Sequence, residues 1–133
     1  MRTTAGPPRL TVWEVLPGAE IEVFRIVRSH DFDDPGFLDS LRSHYELSRE
    51  PRKVERRWTV IHMGISVYTT QEQAIETARM WPKLGDYVTR IELEAGLGFN
   101  LARTGHKGHL TLWAEPVKLR DAAADIVTTG ELS

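Results

Sequence analysis

An arginine inside an apolar strand pattern is the first residue in this chain that demands a chemical partner. Ile21 to Arg28 alternates, and Arg25 falls on the same side as Val23 and Val27. A guanidinium on such a face must be paired, either by an internal carboxylate or by an anion held through two parallel hydrogen bonds. Arg28, at the end of the pattern, is a weaker candidate for the same task. A second group lies in Gly64-Ile65-Ser66-Val67-Tyr68-Thr69-Thr70. In an extended chain Ser66, Tyr68 and Thr70 share one face, while Ile65, Val67 and Thr69 share the other. Hydroxyls beside an aromatic ring suit a planar polar ligand that stacks and hydrogen-bonds. The plainer alternative is a solvated polar side, and Thr70 with Gln73 fits a helix capping box.

The five histidines are His30, His44, His62, His106 and His109. His106 and His109 have a spacing compatible with metal ligation, but no third ligand is spaced nearby, so no metal site is expected. His109 opens a strand pattern and titrates in the range useful for acid or base work; a hydrogen-bonded structural role competes with that reading. The P-loop, the Gly-x-Gly-x-x-Gly turn before a helix and the His-Glu-x-x-His motif are all missing. Gly96-Leu97-Gly98 reads as a turn. The chain has no cysteine, which excludes disulfides, Cys-based zinc sites and a thiol nucleophile, and fits a cytoplasmic protein. A net charge of −2 gives no general attraction to nucleic acid or membrane. No apolar run is long enough for a membrane span, and no apolar signal core opens the chain.

The elements that must position these residues follow from periodicity. Leu10–Leu16 and Ile21–Arg28 read as strands separated by a Pro17-Gly18 turn. Asp33-Asp34-Pro35 is a helix start, with Phe37, Leu38, Leu41 and Tyr45 carrying the stripe to about Leu47. Ser48–Arg57 is a charged loop with five basic residues (Arg49, Arg52, Lys53, Arg56, Arg57). A strand over Thr59–Ile61 leads to Gly64, a short strand and a helix over Gln71–Trp81, whose Ala74, Ile75, Ala78 and Trp81 form one face. Asp86–Leu93 is a half-buried strand, Ala95–Arg103 has weak periodicity, and His109–Trp113 is a strand. A last helix opens at Pro116, with Val117, Leu119, Ala122, Ala123 and Ile126 as its apolar positions. The sum is one α+β domain over residues 10–127, with five or six strands and three helices. A flexible leader over residues 1–9 and a disordered tail over residues 128–133 flank it.

The order of these residues resembles the ADP-ribosyltransferase fold, including the small RES-type NAD-degrading bacterial domains. Arg25 on a core strand matches that family's first motif, and Gly64, Ser66, Tyr68 and Thr69 before a helix match the second. The resemblance spans about residues 21–127 and rests on short motifs. It implies a mainly antiparallel split sheet with two or three helices and NAD as substrate. By resemblance, Arg25 would hold the diphosphate, and Ser66 and Tyr68 would pack the nicotinamide. His109 stands where the family's catalytic glutamate would begin the third strand, and Glu115 stands at that strand's other end. These two are the candidates for the ribose. The implied activity is transfer of ADP-ribose to a protein or nucleic-acid acceptor, or hydrolysis of NAD. The alternative is a non-catalytic binding module of the same fold acting through protein–protein contact.

Overall fold

The computed structural model describes residues 12–15, 21–43, 47, 63–104 and 108–129. Seven strands form one antiparallel sheet: β1 (Val12–Glu14), β2 (Ile21–Val27), β3 (Ile65–Tyr68), β4 (Tyr87–Leu93), β5 (Asn100–Arg103), β6 (His109–Trp113) and β7 (Ala123–Thr128). Their spatial order is β1-β5-β6-β3-β2-β4-β7. Three helices, α1 (Pro35–Ser40), α2 (Gln71–Met80) and α3 (Pro116–Ala122), accompany a 3₁₀ turn over Pro82–Leu84. The architecture is therefore α+β, as the alternating patterns imply.

The sheet buries residues on both faces. One face carries Val23, Val27, Ile65, Val67, Ile91, Leu101 and Leu112, packed with Phe37 of α1 and Leu119 of α3. The other carries Phe24, Ile26, Tyr68 and Val88, packed with Ala74, Ile75 and Ala78 of α2. Each large side chain so buried contributes about 1.5–3 kcal/mol. The two alanines let α2 lie close on the sheet. Its start is fixed by Thr70, whose hydroxyl accepts the Gln73 N–H at 3.2 Å. Its end comes at Trp81, because Pro82 disfavours a helical conformation in the residue before it. Gly85 follows at φ 150°, where a β-carbon would run into the Val27 carbonyl. That close approach pins Lys83 and Leu84 beside the end of β2.

Several sequence expectations are corrected. The first helix stops at Ser40 rather than near Leu47, since its last turn is tied to β2: Ser40 Oγ accepts the Arg28 N–H at 3.0 Å. The last helix stops at Ala122, and Ala123–Thr128 becomes a strand, because the edge of β4 offers a hydrogen-bonding partner from Tyr87 to Ile91. This strand runs through Thr128, and the Thr129 N–H donates to the Asp86 carbonyl at 3.0 Å. Asn100–Arg103, read from its weak periodicity as irregular, is β5, paired with both β1 and β6. The strand expected over Thr59–Ile61, the charged loop Ser48–Arg57 and the leader lie outside the described residues.

Candidate anion-binding cleft

The site begins where two strands part. β2 pairs with β4 along all of Ile21–Val27, but with β3 at a single position, Phe24 opposite Tyr68. Beyond that point the carbonyls of β3 that face β2 need another partner. Arg25 supplies it. Its Nη1 donates to the Ser66 carbonyl at 2.8 Å, and its Nε donates to the Ser40 carbonyl at 2.9 Å. The second bond satisfies a carbonyl of the last turn of α1, a group that the helix itself leaves unpaired. These two bonds of Arg25 thus run to backbone oxygens on two different elements. One guanidinium joins β2, β3 and α1.

A cleft of about 210 Å³ opens over this joint, between α1 and the 3₁₀ turn. Among the described residues, Arg25, Arg28 and Arg42 line it, with Asp39 as the one lining carboxylate. Three positive groups and one negative give a formal +2, against −2 for the whole chain. Ile26, Leu47 and Leu84 add apolar wall. Arg28 Nη2 donates to the Lys83 carbonyl at 3.0 Å, which ties its guanidinium to the 3₁₀ turn. Arg42 Nε donates to Asp39 Oδ1 at 3.3 Å in a largely exposed pair, worth roughly 0.2–1 kcal/mol and easily displaced. Among the described residues, Arg28 Nε and Nη1 and both Arg42 Nη atoms carry no hydrogen bond. Two arginines with donors to spare therefore line the cleft beside Arg25, a donor set suited to phosphate oxygens.

The wall formed by α1 is fixed at its start as well. Asp34 caps the helix, accepting the Gly36 N–H at 3.2 Å and the Ser29 hydroxyl at 2.7 Å. The Ser29 hydrogen bond, then the Gly36 N–H, hold the Asp34 carboxyl below its ordinary value, and His30 adds to this. At the other end of β2, Arg90 meets Asp125, Glu92 and Glu22. Hydrogen bonds donated to Asp125 first, then to Glu92, hold its pKa above the ordinary arginine value. That cluster is formally −2, so charge is segregated along β2, with acid at Glu22 and base at Arg28. The two ends are about 20 Å apart at ~3.3 Å per residue.

No family model, curated protein or solved structure matches this chain. The geometry therefore stands by itself.

The residues expected to share one site are divided by the sheet. Phe24 pairs with Tyr68 and Arg25 with Thr89, so neighbouring side chains of β2 point to opposite faces. Ser66, Tyr68 and His109 lie together on the α2 face, with Tyr68 opposite His109 and Ser66 opposite Thr111. Arg25 lies on the α1 face. The expectation that all four line one cleft is corrected: β2 carries Arg25 to the far side. Tyr68 is only 8% exposed and belongs to the core under α2, while its ring meets the edge of His109 at 5.4 Å. His109 Nδ1 donates to the Thr104 carbonyl at 2.7 Å, which places a proton on that nitrogen. Thr104 Oγ1 also lies 2.7 Å from Thr111 Oγ1. This network ties Thr104, after β5, to His109 and Thr111 of β6.

Gly64 serves packing. A β-carbon there would sit 2.5 Å from Thr111 Cγ2 and 2.9 Å from Trp113 Nε1. Thr69 is exposed and donates its N–H to the Gly108 carbonyl at 2.9 Å. Glu115 is exposed at the start of α3, 4.0 Å from Lys118 Nζ. His109 and Glu115 flank β6 at opposite ends, more than about 13 Å apart by strand rise. Among the described residues no cluster of His, Asp and Glu could hold a metal ion. Sequence reasoning missed Arg42, Asp39, Ser40 and Leu84. Arg42 had only one local signal, its i, i+3 spacing from Asp39 in a helical stripe.

Proposed function

We propose that this chain binds the diphosphate of a NAD-type dinucleotide in the cleft of Arg25, Arg28 and Arg42, as a module with an ADP-ribosyltransferase-like fold. The observation that carries the reading is that three arginines line one concave site whose described residues include a single, loosely paired carboxylate. Arg25 acts as the floor. It keeps its charge under the ligand while its hydrogen bonds hold the walls together. Arg28 and Arg42 supply the donors that grip phosphate oxygens. Ile26 and Leu84 offer apolar surface to a ring or a ribose.

Binding without bond cleavage is the form the geometry favours. Cleaving a nicotinamide–ribose bond builds positive charge on the sugar, and a carboxylate aimed at that charge stabilises it. Asp39 is instead paired with Arg42, Glu115 stands beyond the far end of β6, and His109 lies across the sheet. ADP-ribose transfer to a macromolecule is the second reading, supported by the parting of β2 from β3 beside Arg25.

Calorimetric titration with NAD and ADP tests the proposal. Both should bind, because both carry the diphosphate. Arg28→Gln and Arg42→Gln should each weaken binding by at least about tenfold, since a hydrogen bond to a charged group contributes roughly 1.5–3 kcal/mol. Absence of binding by the wild type would overturn the proposal. A parallel assay for free nicotinamide separates the two readings, and its release would favour transfer or hydrolysis.

A further inference from the structure

The cleft does not end at Arg28. The same guanidinium lines an adjoining open groove of about 500 Å³, together with Pro82, Lys83, Gly85 and Asp86. Arg28 is thus the shared wall of two concave sites. The groove holds two cations and one carboxylate, a formal +1. Among the described residues Lys83 has no ion pair, so Asp86, which lines the same groove, does not pair with its ammonium. The Lys83 backbone is rigidly placed: its carbonyl accepts from Arg28, and Gly85 abuts Val27. A ligand whose diphosphate lay on Arg28 and Arg42 would therefore meet a second cationic position one step further along.

We infer that the two sites together take a dinucleotide with an additional phosphomonoester on its ribose, an NADP-type ligand, with Lys83 and Arg28 holding that extra phosphate. This rests on the diphosphate reading of the cleft. The physical reason is charge matching. A ribose hydroxyl is served by a carboxylate acceptor, whereas a ribose phosphate needs cations. The groove supplies Asp86 but outnumbers it with Lys83 and Arg28. Arg28 would bridge the two anionic groups with Nε and Nη1, the donors it does not commit to the Lys83 carbonyl. An exposed ammonium is a point charge on a flexible stem, so the gain should fade as salt screens it.

Titration calorimetry of the full chain with NAD and with NADP, at low and at high salt, tests this. NADP should bind about tenfold tighter than NAD at low salt, a difference of about 1.4 kcal/mol. Lys83→Gln should abolish that difference, and high salt should narrow it. Equal affinities for NAD and NADP in the wild type would overturn this inference while leaving the diphosphate reading intact. Failure of both to bind would overturn that reading as well. A preference for NADP that survives Lys83→Gln would overturn the assignment of the phosphate to this groove.

Discussion

Replacing Arg25 should damage stability and binding together. Two hydrogen bonds run from its half-buried guanidinium to the Ser40 and Ser66 carbonyls. Truncation to alanine leaves both acceptors without that donor. An unsatisfied buried acceptor costs roughly 1–3 kcal/mol, and water from the cleft can recover part of this. The expected loss for Arg25→Ala is therefore about 2–4 kcal/mol. That is a large share of the roughly 5–15 kcal/mol that holds a domain of this size folded. With an m-value of about 2 kcal/mol/M, the urea midpoint should fall by about 1–2 M. Arg25→Lys keeps the charge but lacks the fork, so it should fall between wild type and alanine. Urea unfolding followed by tryptophan fluorescence measures all three. An alanine midpoint within about 0.2 M of wild type would refute the role of Arg25 as the joint between β2, β3 and α1.

Two further perturbations follow from the walls of the cleft. Asp34 has its folded pKa lowered by Ser29 and Gly36, so its stabilising effect is present above the unfolded value near 3.8 and is lost as pH falls through the lower folded value. Thermal unfolding from pH 7 to pH 3 should show a constant deficit for Asp34→Asn at neutral pH that shrinks below about pH 4; a deficit unchanged at pH 3 would contradict it. Gly85→Ala places a side chain at φ 150° against the Val27 carbonyl, which should cost at least about 1–3 kcal/mol and show as a lower melting temperature.

Much of the scaffold could be read from the chain. The alternation in β2 and β4, the helical face of α2 and the caps at Asp34 and Thr70 are local signals, and the structure carries each of them. β5 was hidden because Leu101 and Ala102 are both fully buried, which erases the alternation of a half-exposed strand. β7 was hidden because its pairing partner, β4, is remote in sequence, while its alanines continue a helical pattern. The site was harder still. Arg25 was legible as an arginine needing a partner, but two of its hydrogen bonds go to the Ser40 and Ser66 carbonyls, and no residue type marks a carbonyl. Neither was it legible that β2 lies between β3 and β4, and that neighbour relation decides which face each candidate occupies. Arg42 and Leu84 reach the cleft from segments that only tertiary packing brings together.

The most direct test is the amide spectrum of the labelled protein titrated with NAD. The account predicts chemical-shift changes concentrated at Arg25–Ser29, Gly36–Arg42 and Lys83–Asp86, with Tyr68, Thr69 and His109 little affected across the sheet. Changes concentrated at Ser66–Thr69 and His109, with the arginine cleft silent, would contradict it.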